Sequence, residues 1–313
     1  MHGIINPESL LQATRMFDSK EKAHEYLTNL RWPDGKVPCP ECGGIEHWFL
    51  ANQMRWKCKS CKRQFSVKVG TIFEDSPIGL DKWLIAVWLI TDCKNGISSC
   101  ELARDLKVTQ KTAWFMNHRI RLAMKNGSFD KLCDDVEVDE TGLGGLSKNM
   151  HKHVRARKIT AKGFTDKTVV MGMLERGGNI KVQIIANTYQ STLHPLVKAN
   201  VLKGSNLYAD AHGGYRHLDQ WYTHQIVDHS FEYVRGQVHT NGLENFWSLL
   251  KRTVRGTYVS VEPFHLHRYL DEYTFRFNER KTDPGERFAT VLNQIVGRRL
   301  TYNSLIGKEL AAG

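Results

Sequence analysis

The sequence predicts an α/β chain in which a mixed sheet with helices follows a small cysteine-bearing ribbon and a helical region. Three observations lead there. Two Cys-x-x-Cys pairs lie near the start, capped amphipathic helices come next, and from residue 134 strand-like runs precede further helices, with one helix between strands. The expected divisions are a helical lead-in over 1–35, the ribbon over 36–76, a helix-turn-helix region over 77–130, the sheet domain over 131–285 and a C-terminal tail over 286–313.

In the lead-in, Phe17, Ala23, Tyr26, Leu27 and Leu30 recur at roughly helical spacing until Arg31-Trp32-Pro33-Asp34-Gly35 imposes a turn. The ribbon carries Cys39-Pro40-Glu41-Cys42 and Cys58-Lys59-Ser60-Cys61 with fifteen residues between the pairs. Each pair turns two thiolates toward one ion, and two pairs complete a tetrahedral zinc site at Cys39, Cys42, Cys58 and Cys61. Four thiolates leave no open position, so this zinc is expected to be structural. Basic and aromatic residues alternate around it. Lys59, Lys62 and Arg63 are therefore candidates for contact with a nucleic-acid backbone, the plain alternative being a solvated basic face. Cys93, Cys100 and Cys133 occur singly and read as small apolar residues.

Leu80, Trp83, Leu84, Val87 and Trp88 make one apolar stripe, and Asn95-Gly96 ends that helix. Ser98 is placed to cap a second helix through Leu106, and Thr109 a third through about Met124. Two short helices joined by Lys107-Val108 suit a helix-turn-helix, with Gln110, Lys111, Asn117 and Arg119 as candidate DNA contacts. A helical connector accounts for the same pattern.

In the sheet domain, strands are expected at 134–140, 168–174, 180–186 and 206–210, with a weak one at 225–227. The second and third form a hairpin across Arg176-Gly177-Gly178-Asn179. Helices are expected at 191–201, 240–254 and 263–280. Asp139 and Asp210 each end a strand ahead of glycines, which brings two carboxylates to one sheet edge. In the helix after 240, Leu243, Phe246, Trp247 and Leu250 form the buried stripe, and Glu244 and Lys251 lie on the polar stripe beside it. Three gathered carboxylates repel one another unless a cation holds them, and hard oxygen ligands favour Mg²⁺ or Mn²⁺. Two such ions suit in-line displacement at a phosphodiester. Each acid also has a plainer reading: Asp139 and Asp210 as turn-forming residues, Glu244 as the third residue of a capping box with Asn241. Glu137 and Glu140 read as solvent-facing or supporting groups.

The bulk properties agree. The 313 residues carry 44 basic and 33 acidic side chains, a net +11 that favours an anionic polymer as partner. Hydrophobic residues at 41% and charged residues at 25% suit a folded chain. No apolar run is long enough to span a membrane, and residues 1–11 lack a signal-peptide pattern, so an intracellular, cytoplasmic location and no membrane partner are expected.

At this point the chain resembles the IS1595-type (ISXO2-like) transposases, within the DDE group with a ribonuclease-H-like catalytic core. The resemblance rests on Arg31-Trp32-Pro33-Asp34-Gly35 with the paired cysteines, and on Val136-Glu137-Val138-Asp139-Glu140-Thr141 with Gly144-Gly145. It continues through Tyr208-Ala209-Asp210, His239-Thr240-Asn241, Glu244-Asn245-Phe246-Trp247-Ser248 with Lys251-Arg252, and Phe275-Arg276-Phe277-Asn278-Glu279-Arg280. It implies that Asp139, Asp210 and Glu244 bind two divalent ions and that Lys251 is the trailing basic residue of the group. It also implies cleavage at transposon ends, transfer of the 3′ ends into double-stranded target DNA, and a homo-oligomer on paired ends. Gly142-Leu143 departs from the family's usual Tyr-Ile, and Asn241 is close enough to compete with Glu244 for the third position. The basic stretch 148–167, with Lys148, Lys152, Arg155, Arg157, Lys158 and Lys162, is a candidate DNA grip or a solvated loop. Arg268, Arg276 and Arg280 either do the same or pair with acids of their own helix. The competing functions are a non-catalytic DNA binder with a degenerate sheet domain, and a structure-specific nuclease.

Overall fold

A computed structural model describes residues 5–125, 130–145, 151–158, 166–227 and 239–308. The chain forms two compact units, Met1–Lys125 with Lys281–Gly313, and Asn126–Arg280.

The first unit opens with α1 (Leu10–Met16) and α2 (Lys20–Arg31), capped by the side chains of Ser9 and Ser19. Strands β1 (His47–Leu50), β2 (Arg55–Cys58) and β3 (Gln64–Phe65) form an antiparallel three-stranded ribbon. A ribbon this small has little apolar interior of its own. It stacks Trp56 on Phe65 and sets Trp56 against His24 of α2 and against Trp32. Arg31 donates to the carbonyls of Val67 and Val69. Lead-in and ribbon are thus one packed body rather than separate divisions.

Helix α3 (Leu80–Asp92) buries the whole predicted stripe. Ser98 caps α4 (Ser99–Leu106), and Thr109 caps α5 (Gln110–Met124). Between them Lys107 takes the left-handed conformation, with φ +49°, which ends α4 and turns the chain sharply.

In the second unit, β4 (Asp135–Leu143) is the central strand. After α6 (Lys152–Lys158), β5 (Thr168–Glu175) and β6 (Ile180–Ile185) form the expected hairpin. Helix α7 (Gln190–Asn200) crosses to β7 (Asn206–Asp210), and β8 (Thr223–Val227) lies at one edge of the sheet. The sheet order is β6-β5-β4-β7-β8, antiparallel from β6 to β4 and parallel from β4 to β8. Helices α8 (Asn241–Thr253) and α9 (Leu266–Asn278) follow.

Alternation along β4 sorts its side chains onto two covered faces. Val136 and Val138 pack with Leu193 and Val197 of α7 and with Tyr215. On the other face Leu143, Val170 and Leu174 pack with Leu243, Phe246, Trp247 and Leu250 of α8 and with Leu270 and Tyr273 of α9.

The chain then rejoins the first unit through α10 (Pro284–Asn293) and α11 (Tyr302–Leu305). The expected tail over 286–313 is corrected here. Phe288, Val291 and Leu292 are buried, and Phe288 meets Phe17 and Trp88. A capping box at Asp283 and Glu286 starts α10, a local signal that a simple tail would not carry. Among the described residues no helix is long and apolar enough to cross a membrane.

Candidate active site

The parallel pairing of β4 with β7 sets Val138 opposite Ala209. Asp139 and Asp210 are the next residue on each strand, so both reach the same carboxyl end of the sheet. Asp139 does not terminate its strand. β4 runs on to Leu143 because β5 still pairs with it, Gly142 opposite Val169, so Gly142 belongs to the ladder and not to a turn. The parallel neighbour ends at Asp210, and that is what opens an edge at Asp139.

Helix α8 lies close over this edge because Gly172, opposite Asp139 on β5, has no side chain. A Cβ there would sit 2.6 Å from the Trp247 ring and 2.9 Å from Leu243 Cδ2. Trp247, whose spacing marks it only as core, has a second task. Its indole Nε1 donates to Asp139 Oδ2 at 3.0 Å. Burial pushes the Asp139 carboxyl up to about 6, with Asp210 and Glu244 adding to the rise and hydrogen bonds from the Glu140 backbone and Trp247 opposing it. Asp139 therefore lies within electrostatic reach of both other acids. Lys251, two turns beyond Glu244, has its ammonium lowered by burial and by Lys167, with Asp139 acting the other way.

Glu140 has a larger part than its sequence position suggests. It leaves β4 on the opposite face from Asp139 and accepts a hydrogen bond from the buried Tyr215 hydroxyl. Burial, then Asp139 and Asp210, push it up to about 7. Glu137 is not solvent-facing: it is 1% exposed and ion-paired to Arg176. Neither role shows in a strand pattern, because both depend on what covers the sheet.

The helix start separates two readings of Glu244. Thr240 is the N-cap and Asn241 the first helical residue, which puts Leu243 at the third position and Glu244 at the fourth. A capping box through Glu244 is thereby excluded. Asp210 does engage its own turn, accepting from the Ala211 amide at 2.6 Å. His212 accepts from the Gly214 amide and helps shape the same loop.

The cysteine site is assembled as expected. Cys39 and Cys61 sulfurs are 3.6 Å apart, as are those of Cys42 and Cys58, and all four lie within 4.8 Å of one another. Tetrahedral bonds of about 2.3 Å require sulfurs about 3.8 Å apart, so the set fits zinc. The Cys58 thiol is drawn down to about 6, chiefly by the Cys61 backbone N–H. Among the described residues this is the group whose ligand atoms cluster so tightly. The carboxylates feel one another without reaching that closeness, and their hard oxygen donors are of the kind that hold Mg²⁺ or Mn²⁺.

The candidate DNA contacts divide. Lys59, Lys62 and Arg63 are exposed, the two lysines lying over the half-exposed Trp48 ring, while Lys59 and Arg63 also meet Glu46 and Glu41. Gln110 and Lys111 are exposed at the start of α5, and Lys152, Arg155 and Arg157 are exposed on α6, which Lys158 ends. Lys148 and Lys162 lie outside the described residues. Asn117 and Arg119 are corrected: both are buried. Asn117 donates to the Ile97 carbonyl, and Arg119 to the carbonyls of Leu300 and Glu74, so they hold the first unit together. Their partners lie on other segments, Leu300 being 181 residues from Arg119, and no local pattern announces them. Arg276 is likewise buried against Glu272, whereas Arg280 is exposed and donates to the Gly178 carbonyl.

Comparison with known proteins places this architecture. Residues 131–278 match the ISXO2-like transposase domain, and residues 18–64 match the transposase zinc-ribbon domain. The chain belongs to the IS1595-type transposase family. It is 28% identical over 291 residues to an uncharacterized protein in transposable element ISH50 of Halobacterium salinarum, covering 89% of this chain and 97% of that protein. It is also 29% identical over 96 residues to an uncharacterized transposase-like protein of Haemophilus influenzae, covering 30% of this chain and 77% of that protein.

Proposed function

We propose that this transposase-family chain cuts DNA at the ends of its mobile element and joins the freed 3′ ends to target DNA, using Asp139, Asp210 and Glu244 to hold two Mg²⁺ or Mn²⁺ ions. One observation carries the reading: in the unit matched by the transposase domain, Asp139 at the open sheet edge is under the influence of both Asp210 and Glu244. The sheet order, with an antiparallel hairpin on one side of the central strand and parallel strands on the other, supports a ribonuclease-H-like core.

When bound, such ions offset the charge of the phosphodiester and favour in-line attack on it. The chain's own residues prepare for that. Trp247 fixes one Asp139 oxygen, and the Ala211 amide orients Asp210. Lys251 brings a cation toward Asp139, where the DNA phosphate would lie. Tyr215 holds Glu140, a fourth carboxyl that keeps the edge acidic. Lys59, Lys62, Arg63, Gln110, Lys111 and the α6 cations Lys152, Arg155, Arg157 and Lys158 are assigned to the DNA backbone or bases. The partners are transposon ends and target duplex in the bacterial cytoplasm, gripped by more than one copy of the chain.

Purified protein, a labelled element end and supercoiled target DNA test this. Joined product is expected with Mg²⁺ and not with EDTA, and not from Asp139→Ala, Asp210→Ala or Glu244→Ala. Asn241→Ala is expected to retain it. DNA binding without cleavage under every metal condition would replace this reading with a DNA-binding remnant, and cleavage without joining with a nuclease.

A further inference from the structure

The acid that orders this edge best is not one of the three. Glu137 lies on β4 two residues before Asp139 and on the same face, under the start of α8. It is 1% exposed, yet it is a carboxylate in the interior of a sheet. Such a group is costly to bury unless every oxygen is engaged. Here both are. Oε2 accepts the backbone N–H of Leu243 at 2.9 Å, and Oε1 takes the Arg176 guanidinium at 2.9 Å with His239 Nδ1 at 3.5 Å.

The Leu243 bond matters because of what α8 lacks. Thr240 supplies no side-chain hydrogen bond to the first turn. Helix starts leave several N–H groups unsatisfied, and a negative charge there is favoured by the helix dipole. Glu137 meets that need from another element, 106 residues away in sequence. Arg176, at the end of the β5–β6 hairpin, completes the join. It donates to the His239 carbonyl at 2.7 Å and lies over the Tyr208 ring, and its own N–H bonds the Asp135 carbonyl. One ion pair thus ties β4, the hairpin and the residues that open α8.

Gly242 records how close this join is. A Cβ at that position would lie 2.7 Å from Glu137 Oε2 and 2.7 Å from Leu174 Cδ2. Only a residue without a side chain lets the helix start settle on the buried carboxylate. Glu244 follows Leu243 directly, so the atom that Glu137 grips is one residue from the proposed third metal ligand.

We propose that Glu137 is a positioning residue. Acting as the remote N-cap of α8, with Arg176 as its counter-ion, it sets Glu244 at the edge that carries Asp139 and Asp210. This rests on Glu244 being a metal ligand. It differs from a general stabilising role in one respect: the effect of Glu137 on metal binding must run through Glu244.

A double-mutant cycle on the full chain reads that directly, with Mn²⁺ affinity measured by calorimetry and thermal melting followed in parallel. Glu137→Gln is expected to weaken Mn²⁺ binding about 10- to 100-fold, the range for groups that orient a metal ligand. In a Glu244→Gln background the same change is expected to weaken it by less than about two-fold, because no ligand remains to be placed. In an Asp210→Asn background the full loss is expected again. Arg176→Lys keeps the charge but loses the forked reach to Glu137 and His239, and is expected to give the same pattern more weakly, which covers the case in which Glu137→Gln does not fold. Equal losses with and without Glu244, or a lowered melting temperature with unchanged Mn²⁺ affinity, would overturn the positioning role. If Glu244→Gln alone leaves Mn²⁺ affinity unchanged, the reading of Glu244 as a ligand fails, and this inference with it.

Discussion

The cysteine site and the acidic sheet edge of this chain are built in opposite ways. The four cysteines come from two tight turns, the first and last only 22 residues apart, and their sulfurs already stand at the separation zinc requires. The acids come from two strands and a helix, brought together by sheet pairing and by the seating of α8. Closing a short loop costs little entropy, so the cysteine site is a local event that the ion completes. The acid site collects like charges that raise one another, and its members meet only through the packing of the second unit. One site therefore holds its unit together. The other is a liability to its unit, tolerated because neighbouring packing holds it.

The largest expected effect tests the first half of that contrast. Cys58→Ser should abolish zinc binding and unfold the ribbon, a loss on the order of 5 kcal/mol or more, since a structural zinc site contributes its binding energy to folding. Zinc content and near-ultraviolet circular dichroism would report it. Mn²⁺ affinity, which the proposed function assigns to the acids, should stay unchanged, and a matching fall would break the comparison.

A smaller effect tests the seating of α8. Gly172→Val places atoms where the Trp247 ring and Leu243 stand, and is expected to destabilise the second unit by about 1–3 kcal/mol through overpacking. It should also lift Trp247 from Asp139, which a change in tryptophan fluorescence on Mn²⁺ addition would reveal. Unaltered stability with unaltered fluorescence would mean that α8 is not held by that contact.

The subtlest effect concerns charge, and its sign is opposite to that of most mutations. Asp139 and Glu140 hold their protons more tightly in the fold than in the unfolded chain, pushed up to about 6 and about 7. Their contribution to stability is then fully present below about pH 4. It is lost as pH rises through 6 to 7. Asp139→Asn is accordingly expected to stabilise the metal-free protein at pH 8 by about 1–3 kcal/mol and to change little at pH 4. Denaturant titrations at the two pH values, without and with Mg²⁺, would measure it. Metal-dependent cleavage by the unaltered protein should rise over the same interval, because ion and proton compete for the carboxylates. Destabilisation at pH 8 would show that the acids are not strained.

Much of this architecture is legible in the order of the residues. The cysteine spacing specifies the zinc site, and the caps at Ser98 and Thr109 and the stripe from Leu80 to Trp88 specify the helices of the first unit. The run Asn206-Leu207-Tyr208-Ala209-Asp210 specifies its strand to the residue. These are properties of neighbours along the chain: turn chemistry, capping and periodicity. The surroundings of each charged side chain are not legible in the same way. Asn117 and Arg119 have the composition of DNA contacts, and only packing against other segments, Ile97 for the one and Glu74 and Leu300 for the other, buries them. Glu137 and Glu140 look alike beside Asp139. One is a buried cap for α8 and the other a partner of Tyr215, because successive residues of a strand face opposite layers and those layers come from distant sequence. Local sequence thus settles which elements form and which chemistry they carry. Tertiary packing settles which charges meet a partner, which are sealed inside and which stay at the open edge, because burial and electrostatic environment depend on contacts between residues far apart in the chain.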